Sequence, residues 1–131
     1  MIRILALIIY LSISMSPIKA DTIAVIGTGD VGAALGTEFA GLGHTVIYGS
    51  RNPQSENAVA LVERTGRDAR ALRPMDAARG ADIVVLAVPG MLVGEIASGL
   101  GDLTGKIIID PTNPLVRRDD GTLGIEGTRS N

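Results

Sequence analysis

The stretch DTIAVIGTGDVGAALG, residues 21–36, decides the fold of this chain. Its first part, TIAVIG at 22–27, is a continuous apolar run that ends in glycine, which is typical of a β-strand buried on both faces. Apolar residues then recur at helical spacing from Val31 to Leu42, and Gly43 is expected to end that helix. The stretch therefore predicts a strand, a tight glycine turn and a helix in direct succession.

The glycines of the turn have the G-x-G-x-x-G spacing of a dinucleotide-binding site. Gly27 permits the tight turn, Gly29 lets the backbone approach a pyrophosphate, and Gly32 allows close packing of helix and strand. The free N–H groups and the dipole at the start of the helix then favour an anion. A glycine turn without a ligand is the weaker interpretation, because the spacing stands between a strand and a helix. Asp30 is expected to point sideways and cap the helix, since its carboxylate would repel a diphosphate; contact of this side chain with the ligand is the alternative.

The rest of the chain alternates short apolar runs with helical stretches. Further strands are expected at TVIYG (45–49), RDARAL (67–72) and ADIVVLAVP (81–89), and a strand followed by a turn is expected at KIIIDPTNP (106–114). Helices are expected at 55–65, 74–80 and 91–100, whereas no period is visible from residue 115 onward. This order predicts an α/β fold with a doubly wound parallel sheet.

The residues after the second strand bear on the choice between NAD and NADP. An NAD site usually has Asp or Glu about 20 residues beyond the glycine loop, where it binds the ribose 2′-OH. Here Ser50, Arg51 and Asn52 stand at that place. Their hydroxyl, guanidinium and amide suit a 2′-phosphate, so NADP (NADPH) is the predicted cofactor. The alternative is a solvated loop arginine next to a turn at Asn52-Pro53.

Two later strands are expected to end at the same carboxyl edge of the sheet, where open α/β folds bind ligands. Pro89, in AVPG, stiffens the chain near the expected nicotinamide ribose. Thr112 and Asn113, in DPTNP, are placed to hydrogen-bond the nicotinamide or a substrate. A structural strand stop at Pro89 and an Asx turn at 110–114 remain open as alternatives. His44 is expected to be a surface turn residue rather than a catalytic acid.

Composition excludes several classes of function. The chain has 46% hydrophobic and 20% charged residues with a formal net charge of −2, so no basic surface points to nucleic acid. It has no cysteine and one histidine, which removes disulfides, thiol nucleophiles and the usual metal sites. The chain is therefore interpreted as one globular unit that binds a small molecule.

The N-terminus has a separate pattern. Residues 1–20, MIRILALIIYLSISMSPIKA, have the layout of a secretory signal peptide, with a charge at Arg3, an apolar stretch and a small residue at Ala20. Cleavage after Ala20 would leave a cofactor-binding domain over 21–131 and an exported or periplasmic protein without a membrane span. An uncleaved anchor and a cytoplasmic protein that starts at Met15 are the alternatives.

Four segments in this order resemble the NADP-binding domain of the deazaflavin-dependent NADP reductase family: IAVIGTGDVGAALG, VIYGSRNP, ADIVVLAVP and KIIIDPTNPL. They are also similar to the N-terminal domain of pyrroline-5-carboxylate reductases and to the reductase domain of six-transmembrane metalloreductases. The resemblance covers residues 22–116 and implies a Rossmann-type fold. It implies that the pyrophosphate lies along Thr28, Gly29, Asp30 and Val31, that Ser50, Arg51 and Asn52 hold the 2′-phosphate, and that Val88 and Pro89 flank the nicotinamide side.

The resemblance also implies an activity, hydride transfer between NADPH and a flavin, a deazaflavin or another small acceptor, in which the cofactor carries the chemistry. An NADP-binding module without turnover is the alternative. The chain departs from the family at Gly90-Met91, where family members have an aromatic or bulky polar residue after the proline. It also ends at residue 131, where such proteins continue, so a truncated C-terminus is expected. An exposed apolar surface is then expected near Ile107–Ile109, Val85 and Leu86, open to a missing segment or to a second copy in a homodimer.

Overall fold

The computed structural model describes residues 19–113, 115–117, 119, 121 and 123–125. The predicted signal peptide, except for its last two residues, and the alternative start at Met15 lie outside the described residues. Strands and helices alternate along the chain as β1 (Thr22–Ile26), α1 (Asp30–Gly41), β2 (Thr45–Gly49), α2 (Glu56–Thr65), β3 (Arg70–Leu72), α3 (Pro74–Arg79), β4 (Ile83–Leu86), α4 (Val93–Ser98) and β5 (Ile107–Ile109). A short 3-10 turn, Gly90–Leu92, precedes α4, and β6 (Leu115–Arg117) and β7 (Leu123–Ile125) follow β5.

The first five strands form one parallel sheet in the order β3-β2-β1-β4-β5. The chain builds outward from β1 through β2 to β3, and then returns to the other side of β1 for β4 and β5. The order therefore reverses between β1 and β4, which is the place where doubly wound sheets bind their ligands. This arrangement confirms the predicted Rossmann-type α/β fold.

Helices cover both faces of the sheet, because the strands are apolar on both sides. Alternate residues of β1 divide between the two layers: Ala24 and Ile26 belong to the core with α3 and α4, while Ile23 and Val25 belong to the core with α1 and α2. All four side chains are at most 2% exposed. No helix in the described part of the chain is long and apolar enough to cross a membrane.

Helix α1 packs on the sheet through part of the predicted apolar face and through small residues beside it. Leu35 and Phe39 of the predicted face are half-buried against the core that α1 shares with α2. Val31 and Leu42 are 55% and 75% exposed, whereas Gly32, Gly36 and Ala40 are buried against the sheet. The reason is the close approach of helix and sheet: a Cβ atom at Gly36 would overlap the hydroxyl and ring of Tyr48 on β2. Small residues thus form the part of this interface where α1 comes closest to the sheet.

Tyr48 also ties together the two helices on its side of the sheet. Its buried hydroxyl lies 2.8 Å from Oγ1 of Thr65 in the last turn of α2, and that Thr65 hydroxyl lies 2.8 Å from the backbone oxygen of Leu61. A buried tyrosine needs such a partner for its hydroxyl. The pair fixes α2 beside α1 and thereby positions the loop that joins β2 to α2.

Several predicted boundaries were too wide, and one region was predicted wrongly. The strand expected over 81–89 comprises only Ile83–Leu86, and the strand within 106–114 comprises Ile107–Ile109, because a proline follows each apolar run within three residues of the strand end. Residues 115–125, for which no period was visible, contain the antiparallel pair β6 and β7.

The expected apolar surface is present only in part. Ile107, Ile108 and Ile109 on the outer strand β5 are 61%, 43% and 40% exposed, as predicted. Val85 and Leu86 are 0% and 3% exposed, so their inclusion was wrong. Both belong to β4, which β1 and β5 flank, and their side chains are covered by the helical layers.

Candidate cofactor-binding site

Two of the three glycines in the turn after β1 are required by the packing of the backbone. Gly27 has φ +115°, a left-handed conformation, and a Cβ atom there would overlap the carbonyl oxygen of Ala87 at the end of β4. A Cβ atom at Gly32 would overlap the carbonyl oxygen of Gly27. The backbone N–H of Gly27 donates to the carbonyl of Gly49 at 3.0 Å, which joins the turn to the end of β2.

Gly29 has a different environment. It is the N-cap residue of α1, no side chain caps the helix, and no protein atom lies within 4 Å of the place a Cβ would take. The first N–H groups of a helix have no partner within the helix, and together with the helix dipole they attract an anion. The open space at Gly29 therefore fits a phosphate group held by backbone N–H donors.

Asp30 was predicted to cap α1, and this prediction is wrong. It is the first residue of the helix, one position beyond the N-cap, and its side chain makes no capping hydrogen bond. Because Gly29 occupies the N-cap position, the carboxylate of Asp30 can favour the helix only through its charge near the positive end of the dipole. Asp30 is exposed and borders the site, so its negative charge lies near the proposed anion position.

A cavity of about 640 Å³ opens at the carboxyl edge of the sheet, between the glycine turn and the ends of β2 and β4. Its lining includes eight residues that the sequence singled out: Gly27, Thr28, Gly29, Ser50, Arg51, Asn52, Val88 and Pro89. Ser50 is 8% exposed, whereas Arg51 and Asn52 are exposed to solvent. The polar residues that follow β2 and the glycine turn thus line the same cavity.

The loop after β2 is held by its own hydrogen bonds. The Asn52 N–H donates to Ser50 Oγ at 3.2 Å, and the side-chain oxygen of Asn52 accepts from the Gln54 N–H at 3.2 Å. Ser55 caps α2 by accepting from the Ala58 N–H at 3.3 Å. The loop thus contains the turn at Asn52-Pro53 that the alternative interpretation proposed. Arg51 nevertheless lines the cavity, and its side chain makes no ion pair or hydrogen bond with another residue that the structure describes.

A second cavity of about 360 Å³ adjoins the first. It is bordered by Asp30, Val31, Pro111, Thr112 and Asn113, and it shares Gly29, Ala87 and Val88 with the first cavity. The two cavities therefore form one groove across the carboxyl ends of β1 and β4. Pro89 borders only the first cavity, although the resemblance implied that it flanks the nicotinamide side together with Val88.

The DPTNP segment, residues 110–114, was interpreted either as an Asx turn or as a contact to the nicotinamide. It forms the Asx turn, and its residues Pro111, Thr112 and Asn113 also border this cavity. The Thr112 N–H donates to Oδ1 of Asp110 at 2.9 Å. Hydrogen bonding from Thr112, first from its side chain and then from its backbone, holds the pKa of Asp110 below its usual value. The turn thus fixes the positions of Thr112 and Asn113 at the groove.

Of the residues predicted for the site, only Gly32 borders neither cavity, because it packs α1 against the glycine turn. His44 stands in the turn before β2, as predicted, at the end of the sheet opposite the site; it is half-buried rather than on the surface, and its Nδ1 accepts a hydrogen bond from the Asp21 N–H at 3.2 Å. Ser55, Pro74 and Ile96 also line the first cavity, although the sequence did not predict them there. Ser55 and Pro74 stand at helix starts behind β2 and β3, a signal that could have placed them at this edge.

The comparisons with known proteins agree with this geometry. The family model of the coenzyme F420-dependent NADP oxidoreductases matches residues 22–114. The F420-dependent NADP reductase of Methanothermobacter thermautotrophicus is 43% identical over 110 residues, which are 77% of this chain and 47% of that protein. The metalloreductase STEAP3 of Rattus norvegicus is 28% identical over 105 residues, 79% of this chain and 20% of that protein. The chain thus spans less than half the length of these curated relatives.

Solved structures show the same fold. A candidate F420-dependent NADP reductase from Arthrobacter sp. FB24 has a TM-score of 0.70 and 28% identity, over 83% of this chain and 53% of that one. The pyrroline carboxylate reductase of Plasmodium falciparum shares the fold at a TM-score of 0.54 and 19% identity, over 72% of this chain and 34% of that one. The resemblances inferred from the sequence are confirmed, and the chain belongs to the family of coenzyme F420-dependent NADP oxidoreductases.

Proposed function

We propose that this chain binds NADP(H) in the groove at the carboxyl edge of its sheet, as the cofactor domain of an oxidoreductase. One observation carries the proposal: the residues after β2 that border the same cavity as the glycine turn are Ser50, Arg51 and Asn52, with no carboxylate among them. A hydroxyl and a guanidinium can donate hydrogen bonds to the oxygens of a 2′-phosphate, whereas an Asp or Glu carboxylate at this place would repel it.

Each part of the groove has a role in this proposal. The N–H groups at Gly29 and the start of α1 hold the pyrophosphate, and Ser50, Arg51 and Asn52 hold the 2′-phosphate. The second cavity, with Thr112 and Asn113, takes the nicotinamide half. The two cavities share Gly29, so a dinucleotide can pass from one to the other over the glycine turn.

The chemistry that NADPH supplies when bound is a hydride for a second redox partner, a flavin, a deazaflavin or another small acceptor. The protein's own part is to bind and orient. Val31, Val88, Thr112 and Asn113 all border the second cavity, so apolar residues and residues with hydrogen-bonding groups both contribute to it. No nucleophilic side chain is required, because hydride transfer forms no bond to the protein.

The activity is tested by NADPH oxidation with a panel of acceptors that includes a deazaflavin, a flavin and an imine. Purified chain of residues 21–131 is incubated with NADPH and each acceptor, and the loss of NADPH absorbance is followed. Oxidation above the protein-free rate with at least one acceptor is the expected result. Binding of NADPH without oxidation by any acceptor would contradict the proposed activity and leave a binding module without turnover.

We also propose that two copies of the chain pair along β5. Among the described strands β5 lies at one edge of the sheet, and its three isoleucines are all at least 40% exposed. An open apolar strand edge is a surface that another strand can cover. A second copy placed by a two-fold axis would extend the sheet across β5 of each protomer and cover the isoleucines of both.

A further inference from the structure

Arg73 stands at the same edge of the sheet as the predicted 2′-phosphate site, although it was not among the residues that the sequence singled out. It follows directly after β3 and is the N-cap residue of α3, with no capping hydrogen bond from its side chain. The backbone N–H of Ser50 donates to the carbonyl of Leu72 at 2.9 Å, one residue before Arg73. Because β2 and β3 are parallel, Ser50 and Arg73 are the first residues beyond neighbouring strand ends.

The alternation of side chains places Arg73 on the same side of the sheet as Ser50. On β3, Leu72 packs in the core with α3, whereas Ala71 packs in the core with α1 and α2. Arg73 has an extended backbone, with φ −61° and ψ 150°, so it continues the alternation and follows Ala71. Ser50 stands two residues after Tyr48 of β2, so by the same alternation it lies on the face of the sheet that α1 and α2 cover.

The guanidinium of Arg73 has no acidic partner in the described part of the chain. Asp76, the acid in the first turn of α3, is paired with Arg79 through a contact of 3.1 Å. Arg73 is exposed, and the residue that follows it, Pro74, lines the first cavity. Two arginines without counterions, Arg51 and Arg73, therefore stand at adjacent strand ends around Ser50. Arg51 lines the first cavity and Arg73 directly precedes its lining residue Pro74, so the two positive charges together favour an anion at this end of the cavity.

We propose that Arg73 is a second guanidinium ligand of the NADP(H) 2′-phosphate and so contributes to the selection of NADP over NAD. The inference rests on the proposed function, since it assigns a further residue to that site. A phosphomonoester has three terminal oxygens and close to two negative charges, more than one arginine satisfies. Arg51 from the β2 loop and Arg73 from the end of β3 would approach it from two sides, with the Ser50 hydroxyl between them.

The test uses adenosine 2′,5′-bisphosphate and adenosine 5′-monophosphate as probes, titrated calorimetrically into the wild type and into Arg73→Met. Methionine keeps an unbranched apolar side chain of similar length and removes the charge. Arg70→Met is the matched control, because Arg70 is an exposed arginine at the start of β3 and pairs with Ile47, away from the carboxyl ends of the strands. We expect Arg73→Met to weaken the bisphosphate about ten-fold, equivalent to about 1.4 kcal/mol, and to leave the monophosphate unchanged.

The outcomes separate this inference from the proposed function. A loss confined to the bisphosphate in Arg73→Met, absent in Arg70→Met and partly restored in Arg73→Lys, supports the inference. If the wild type prefers the bisphosphate and Arg73→Met keeps that preference, or if both probes weaken equally, Arg73 is not a phosphate ligand while the proposed NADP site stands. If the wild type does not distinguish the probes, both proposals fail.

Discussion

Replacement of Gly29 by serine should stabilise the protein and weaken its hold on the cofactor at the same time. Gly29 is the N-cap of α1 with φ −77° and ψ −170°, an extended conformation that serine adopts readily, and no protein atom lies near its Cβ position. Serine is a better N-cap than glycine, because its hydroxyl accepts a hydrogen bond from an N–H group in the first turn. That same N–H group is one of the donors proposed for the pyrophosphate.

The two effects have opposite signs and calculable sizes. The new cap should raise the free energy of unfolding by a few tenths of a kcal/mol, roughly the measured difference between serine and glycine at N-caps. The loss of one hydrogen bond to a charged phosphate costs about 1.5–3 kcal/mol, or roughly 10- to 100-fold in Kd. Because NAD⁺ and NADP⁺ share the pyrophosphate, both should weaken by the same factor.

Urea unfolding and calorimetric titration measure these quantities. Gly41→Ser, at the far end of α1 with open space at its Cβ, is the control that should leave both Kd values unchanged. Unaltered cofactor affinity in a folded Gly29→Ser variant would refute the placement of the pyrophosphate. A change in the ratio of the two affinities would show that the turn faces some other part of the cofactor.

Three further predictions follow from the packing and the termini. Gly36→Ala should lower the stability measured by urea unfolding, because overlap with Tyr48 costs about 1–3 kcal/mol and exceeds the gain of at most about 1 kcal/mol in helix propensity, whereas Gly41→Ala in open space should not destabilise. Ile108→Lys on β5 should convert a dimer to a monomer in sedimentation velocity, and a monomeric wild type would refute pairing along that strand. We propose that residues 1–20 direct export, so expression of the full chain in a bacterial host should give a periplasmic protein that begins at Asp21 by N-terminal sequencing; a cytoplasmic protein that begins at Met15 would favour the alternative start.

The sequence predicted the order of the elements and the cofactor edge because both depend on local signals. The apolar run before Gly27 and the apolar run at 81–89 each identify a buried strand, and the carboxyl ends of parallel strands must share one edge. Only part of the buried face of α1 could be predicted in the same way. Apolar spacing favoured Leu35 and Phe39, which do pack on the core, but also Val31 and Leu42, which are exposed. The close approach of helix to sheet, which depends on Tyr48 on the next strand, selects glycine and alanine at the innermost positions.

The candidate site shows the same division between local and long-range information. The glycine turn and Ser50-Arg51-Asn52 are recognisable from short stretches of sequence. Arg73 was not, because its relation to Ser50 depends on the pairing of β2 with β3, and β3 has only three residues in a polar stretch. The pair β6 and β7 was missed for a similar reason, since its strands are three residues each and too short to establish a period.

The central claim, an NADP(H) site built from the glycine turn and the residues after β2, is tested most directly by titration of the wild type and Arg51→Met with NADP⁺ and NAD⁺. Arg64→Met, an exposed arginine in the last turn of α2, serves as the control. The account predicts that the wild type binds NADP⁺ more tightly than NAD⁺. It also predicts that Arg51→Met loses about 10- to 100-fold in affinity for NADP⁺ alone. Equal affinities in the wild type, or an NADP⁺ preference that survives in Arg51→Met, would contradict it.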